Sequence, residues 1–277
     1  MIASHQQIPY AFLLGKSERY ERSWSDVLEA LRKRPAESLG PEFREALKYF
    51  AMAVVGKLEK ERVLRLLAIA EGIGLANFMF ATQVGRTFSV SLPDASFEFT
   101  GQPVTAYTDV ETWLEAYFCA LIARDTAGVQ ALCAVPEDVH RHADLKPDAA
   151  GLAVVRVFKG LHDPGAAIGQ LLIEAMEAVQ PDRLSDDRYE YVNQILAPLL
   201  PVVRCMLSSD QGDFNEKLEE AVYDHQGFWG SDQNMDDTQG WISLPLIGVS
   251  ALAFDSKGFA MTFETEYVPG WLAKGEF

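Results

Sequence analysis

Apolar side chains recur at steps of three and four along most of the chain, the spacing of helices that turn one face inward. The densest example runs from Tyr107 to Val139, where Val110, Trp113, Leu114, Tyr117, Phe118, Leu121 and Ile122 share one broad helical face. Thr108 followed by Glu111 reads as a capping box at its start. Arg124-Asp125 interrupts the face, and a second short helix carries Val129, Leu132 and Val135 until Pro136 stops it. Such a helical hairpin exposes too much apolar surface to stand as a lone pair, so helices on either side must cover it.

Taken in order, residues 1–22 are poorly patterned and are expected to be partly extended. A helix is expected from Ser23, with Trp24, Val27, Leu28 and Leu31 on one face, a basic Arg32-Lys33-Arg34 end, and Pro35 as its stop. Pro41 suits the first position of the next helix, whose stripe is Phe43, Leu47, Phe50, Ala51, Val54 and Val55. A third helix spans about Glu59 to Gln83; its Gly72 and Gly74 lack the preceding strand and full spacing of a phosphate loop, and fit close helix packing. From Arg86 the period shortens to two. Phe88, Val90 and Leu92, then Phe97 and Phe99, alternate around Pro93-Asp94-Ala95-Ser96 as a β-hairpin does. Helices follow over Ala149 to Ser209, the last of them kinked or split by Pro198 and Pro201. Asp213 and Glu216 suggest a cap for a helix with Phe214, Leu218, Ala221, Val222, His225 and Trp229 on its stripe. A polar acidic loop from Gly230 to Gly240 comes next, and Ser243-Leu244-Pro245 opens an apolar helix that Gly258 stops. The result is a mainly α fold, a multi-helix bundle or irregular α-solenoid-like array with one small β-hairpin near residues 86–100.

Composition changes this picture little: 48% hydrophobic residues supply an ample core. The apolar runs Ile195 to Leu207 and Ile242 to Phe254 are shorter than the roughly 20 residues of a membrane helix and contain proline, so no membrane span is expected. The N-terminus has neither a basic lead-in nor a small-residue cleavage site, and a cytoplasmic protein is expected. Cys119, Cys133 and Cys205 sit in apolar helical patterns and read as core thiols.

Charge is more telling. Residues 1–86 carry a net +3, residues 87–181 a net −8 and residues 182–277 a net −11, recovering the total of −16. That field repels nucleic acid and attracts basic proteins, with an effect on encounter rate that salt weakens. His140, His142 and Asp144 invite a metal hypothesis, but their spacing does not put two ligands on one helix face and no H-E-x-x-H accompanies them. A solvated histidine-bearing loop is the simpler reading, with no metal, no cofactor and no catalytic residues assigned.

Four pieces in fixed order resemble a known family. They are W-L-x-A-Y-x-x-A-L-I-A-R-D with L-C-x-V-P at Trp113 to Pro136, F-N-x-x-L-x-x-A at Phe214 to Ala221 with H-x-x-x-W at His225 to Trp229, L-P-L-I-G-x-x-A-L-A at Leu244 to Ala253, and E-x-E-Y-V-P at Glu264 to Pro269. Together they resemble the Immunity protein 49 family of bacterial polymorphic toxin systems, with residues 1–85 matching only as a generic helical region. The resemblance implies a single all-α immunity-type domain over 1–277, with an N-terminal helical part (1–85), the hairpin (86–100) and a family-like helical part (105–277). It also implies a non-enzymatic protein that binds and neutralises a cognate toxin. The family's recurring Trp113, Arg124, Asp125, Asn215, His225 and Trp229 read as structural, because polar groups beside buried helix faces ordinarily satisfy caps and carbonyls.

An inhibitor needs an exposed complementary surface. The acidic loops, chiefly Asp232, Asp236 and Asp237 and secondarily Glu137, Asp138, Asp186 and Asp187, are therefore expected to cover a basic, nucleic-acid-handling cleft of a toxin acting in the cytoplasm: a nuclease, a deaminase or an NAD-directed enzyme. Two other classes remain in view. One is a helical-repeat adaptor, for which no repeat of 30 to 45 residues recurs; the other is a metal-dependent hydrolase using His140, His142 and Asp144. Oligomeric state is open.

Overall fold

The computed structural model describes residues 2–4, 6, 8–103, 106–140 and 149–277. Its contacts divide the chain into two compact units, residues 6–146 and residues 147–277 joined by residues 1–5. The fold is mainly α-helical, with one two-stranded antiparallel sheet among the described residues.

In the 6–146 unit, α1 covers Tyr10–Lys33 and buries Leu13, Ser17, Tyr20, Trp24, Val27 and Leu31. The helix thus starts well before Ser23, correcting the expectation of partly extended chain. Steps of four and three continue through Ser17 and Tyr20, whose polar atoms disguised the inward stripe. Helix α2 is Pro35–Val55, with Pro35 in its first turn and Pro41 inside it, so Pro41 does not open the helix. Pro35 fits the first turn, where the backbone N–H has no intrahelical partner, whereas Pro41 removes the donor due to the Glu37 carbonyl. Helix α3, Lys60–Thr82, agrees with its expected bounds within a residue. It is long and apolar enough to cross a membrane by length and composition, which the shorter runs considered from sequence were not; yet 67% of its most apolar window is buried inside the protein, as in a core helix. Its glycines permit close approach. A Cβ on Gly72 would lie 2.5 Å from Leu92 Cδ2, and one on Gly74 would lie 2.8 Å from Phe43 Cε2 and 3.1 Å from Ala116 Cβ.

Strands β1 (Thr87–Leu92) and β2 (Ala95–Thr100) pair antiparallel in the register Phe88↔Phe99 and Val90↔Phe97. Pro93-Asp94 forms the turn, with Asp94 at φ 67°. A two-stranded ribbon cannot hold itself together in water. Here Trp24 Nε1 donates to the Pro93 carbonyl at 3.2 Å, Arg65 pairs with Asp94, and the Phe99 ring meets Phe80 edge-on at 6.2 Å. Helix α4, Val110–Ala123, is buried on most of its circumference, and α5, Thr126–Cys133, follows directly. The N-cap of α4 is Asp109, which accepts from Thr112 N at 2.8 Å.

In the second unit, α6 is Ala149–Gly160, α7 is Ile168–Ala178 and α8 is Asp186–Tyr191. A π-helical turn, Val192–Leu196, and then Pro198 separate α8 from α9, Leu199–Leu207. Pro198 has no N–H to continue the ladder, so the expected split falls there, while Pro201 is absorbed in the first turn of α9. Helix α10, Gln211–Trp229, is capped by Asp210 accepting from Asp213 N at 3.0 Å, one turn earlier than the Asp213–Glu216 cap expected. Helix α11 is Leu244–Lys257, stopped by Gly258 at φ 70°, and α12 is Gly270–Lys274. The segment before α12 ties residues 2–4 to this unit: Ile2 N donates to Glu264 O at 2.9 Å, Glu266 N to Ile2 O at 3.0 Å and Ser4 N to Glu266 Oε2 at 2.9 Å.

Candidate functional site

The acidic loop that follows α10 is held from beneath by two side chains one helical turn apart. His225 donates Nε2–H to the Gly240 carbonyl at 3.0 Å and sets its ring against Tyr267 at 5.0 Å. Trp229 lies so close over Gly240 that a Cβ there would sit 2.2 Å from Trp229 Cγ. Gly240 is therefore a place where only glycine fits. Both ends of the loop are fixed in this way, since Ser231 Oγ and Asn234 Nδ2 return to the Phe228 carbonyl at 2.8 and 3.1 Å. Between them Asp232, Asp236 and Asp237 are all exposed. Asp237 also caps the 3-10 turn Thr238–Gly240, accepting from Gln239 N at 2.9 Å.

The other acidic candidates divide between the units. Asp186 and Asp187 are exposed in the first turn of α8, where helix N-termini favour negative charge. A hydrogen bond from Ser185 holds the Asp187 carboxyl below the usual carboxylate range. Helix α8 ends at Tyr191, whose ring meets Phe228 edge-on at 5.7 Å, so α8 adjoins the C-terminal end of α10. Glu137 and Asp138 belong to the 6–146 unit, in a 3-10 turn. His140 closes that turn and is buried at 1% exposure, which corrects its assignment to a solvated loop. Its Nδ1–H donates to the Thr108 carbonyl at 2.9 Å. His142 and Asp144 lie outside the described residues.

The remaining motif residues sit at joints of the backbone. Trp113 is fully buried, donates Nε1–H to the Leu132 carbonyl at 2.9 Å and stacks on Tyr117 at 5.0 Å, clamping α5 to α4. Arg124 ends α4 in the left-handed region at φ 58° and donates to the Ile122 carbonyl at 2.9 Å. Asp125 caps α5 through Ala127 N at 3.1 Å. Asn215 bridges α10 to the segment before α12: Nδ2 donates to Gln211 O at 2.9 Å and Ala260 O at 3.3 Å, while Oδ1 accepts from Thr262 N at 2.8 Å.

Sequence reasoning passed over Glu71, on α3. Burial, a hydrogen bond with Asp125 and the charge of that same carboxylate push its carboxyl up to about 8. Its Oε1 is sealed from solvent and takes no hydrogen bond from a described residue. Glu71 thus holds its proton beside Asp125 well above the usual carboxylate range. The signal was present: between Arg65 and Thr82, Glu71 is the only charged residue. A second polar cluster surrounds Glu115 on α4, which receives Arg44 Nη1 on both carboxylate oxygens at 2.6 Å. Burial raises the Glu115 carboxyl while Arg44 opposes the shift.

Motif side chains that hold joints, an exposed acidic loop and a mainly α scaffold agree with the class to which comparison assigns the chain, the immunity proteins. The matching family model is Immunity protein 49, over residues 41–272, and the chain belongs to that family. The match takes in most of α2 and all of α3, reaching well upstream of the four pieces legible as motifs. Neither the curated proteins nor the solved structures contain a match to the chain.

Proposed function

We propose that this protein neutralises a cognate toxin by stoichiometric occlusion, laying an acidic surface over a basic cleft. The family assigns a toxin partner in general. The surface reading rests on Asp232, Asp236 and Asp237, exposed together on a loop that His225, Trp229 and Gly240 keep in place. Preorganised charge accelerates encounter without the entropy of ordering a flexible segment. In a secondary role, Asp186 and Asp187 add acid to the same unit, and Glu137 and Asp138 add it to the 6–146 unit. The toxin acts in the cytoplasm, on nucleic acid, nucleobases or NAD, and the inhibitor works there as a binder and not as an enzyme. The test is stopped-flow association with the toxin domain encoded beside this chain. Reversing Asp232, Asp236 and Asp237 to Lys together should slow association at least tenfold at low salt, with the difference shrinking as salt rises; an unchanged on-rate removes the loop from the contact.

A further inference from the structure

Helix α10 turns Phe214, Leu218, Ala221, Val222, His225 and Trp229 inward. Its opposite face is built against its own stability. Glu216, Glu220 and Asp224 are exposed and four residues apart, so each carboxylate stands next to another of the same sign. Lys217 answers the first two, with Nζ 3.7 Å from Glu216 Oε1 and 2.7 Å from Glu220 Oε2. Asp224 has no cation partner among the described residues, and burial together with Glu220 raises its carboxyl above the usual range. Beside it Tyr223 presents its ring to solvent at 54% exposure, among the most exposed large hydrophobic side chains described.

An uncovered tyrosine set between a carboxylate shared with one lysine, Glu220, and one with no described cation, Asp224, is suited to a guanidinium, which lies flat on the ring while its N–H groups engage both acids. We propose that the outward face of α10 docks an arginine-presenting surface of the toxin, with Tyr223 as the anchor and Glu220 and Asp224 as its charge partners. Tyrosine and arginine are the residue types that dominate interface energetics, and a local arrangement unfavourable to the free protein is expected where a partner supplies the missing charge. This placement rests on the toxin-binding role proposed above and moves its centre from the loop to the helix.

The test measures affinity of the full-length chain for a catalytically inactive form of the toxin domain encoded beside it, by titration calorimetry, alongside thermal melts. Tyr223→Ala should weaken binding at least tenfold with an unchanged melting temperature, since its ring is largely exposed in the free protein. Asp224→Asn should weaken binding and leave the free protein as stable or more so, as a carboxylate retained for a partner demands. Asp232→Asn, on the loop, should cost less affinity than Tyr223→Ala. Wild-type binding with Tyr223→Ala within twofold of it would overturn this placement alone. No binding by the wild-type chain would overturn the toxin-binding role and this placement together.

Discussion

Replacing Glu71 with glutamine should make the protein more stable in alkaline solution and no different in acid. The Glu71 carboxyl is moved from 4.5 to about 8 by burial and by Asp125. Between those values the folded protein keeps a proton that the unfolded chain has released. Stability is therefore fully present below pH 4.5 and is lost as pH climbs towards about 8. At about 1.4 kcal/mol per pH unit, the whole passage corresponds to a ceiling of about 5 kcal/mol. Rearrangement of the side chain towards water relieves part of that cost, and a loss of about 2–3 kcal/mol is expected. Glutamine is neutral at every pH and can donate its amide N–H to the Asp125 carboxylate, so it keeps the contact without the ionisation. Urea unfolding of wild type and Glu71→Gln at pH 5, 7 and 9, followed by tryptophan fluorescence, isolates the effect, because titrating groups remote from Glu71 contribute equally to both proteins. The variant should gain about 2–3 kcal/mol over wild type at pH 9 and no more than about 0.5 kcal/mol at pH 5. Parallel pH profiles, or a variant weaker than wild type at pH 9, would refute the raised Glu71 carboxyl.

Further outcomes follow from the joints around α10 and α4. Gly240→Ala drives a methyl group into the Trp229 ring and should cost about 1–3 kcal/mol in chemical denaturation while slowing toxin capture, as the acidic loop shifts. Asn215→Leu strips the partner from Thr262 N and should cost about 1–3 kcal/mol in the same assay; a neutral result would show that the bridge to the segment before α12 is replaceable. Trp113→Phe removes the donor to the Leu132 carbonyl and should lower stability by about 1–3 kcal/mol, read from chemical denaturation of the full chain.

Much of the helical order was legible because burial follows the apolar period, as in α3, α4 and α11. The hairpin was equally plain: alternation over Phe88 to Phe99 fixes which face turns inward, and Pro93-Asp94 fixes where the chain reverses. Helix starts were less visible. Asp109 and Asp210 took caps assigned to Thr108 and Asp213, since several adjacent polar residues can reach the same free N–H groups and tertiary packing selects among them. The first helix was hidden because Ser17 and Tyr20 occupy inward positions, so a period read from apolar residues alone stops at Trp24. At the candidate site, the acidity and exposure of the loop after α10 were readable, but what holds it was not. His225, Trp229 and Gly240 are brought together across fifteen residues, a juxtaposition that only the folded chain displays. The Glu71–Asp125 pair is likewise long-range, joining α3 to the start of α5.

This chain is proposed to act by holding a toxin in a one-to-one complex. Titration calorimetry of the purified protein against an inactive form of its cognate toxin domain measures this directly. A stoichiometry of one with nanomolar affinity or better, about −12 kcal/mol, is the predicted result. Protection of the toxin's target without a stable complex, or turnover of the toxin or its substrate by the isolated chain, would contradict it.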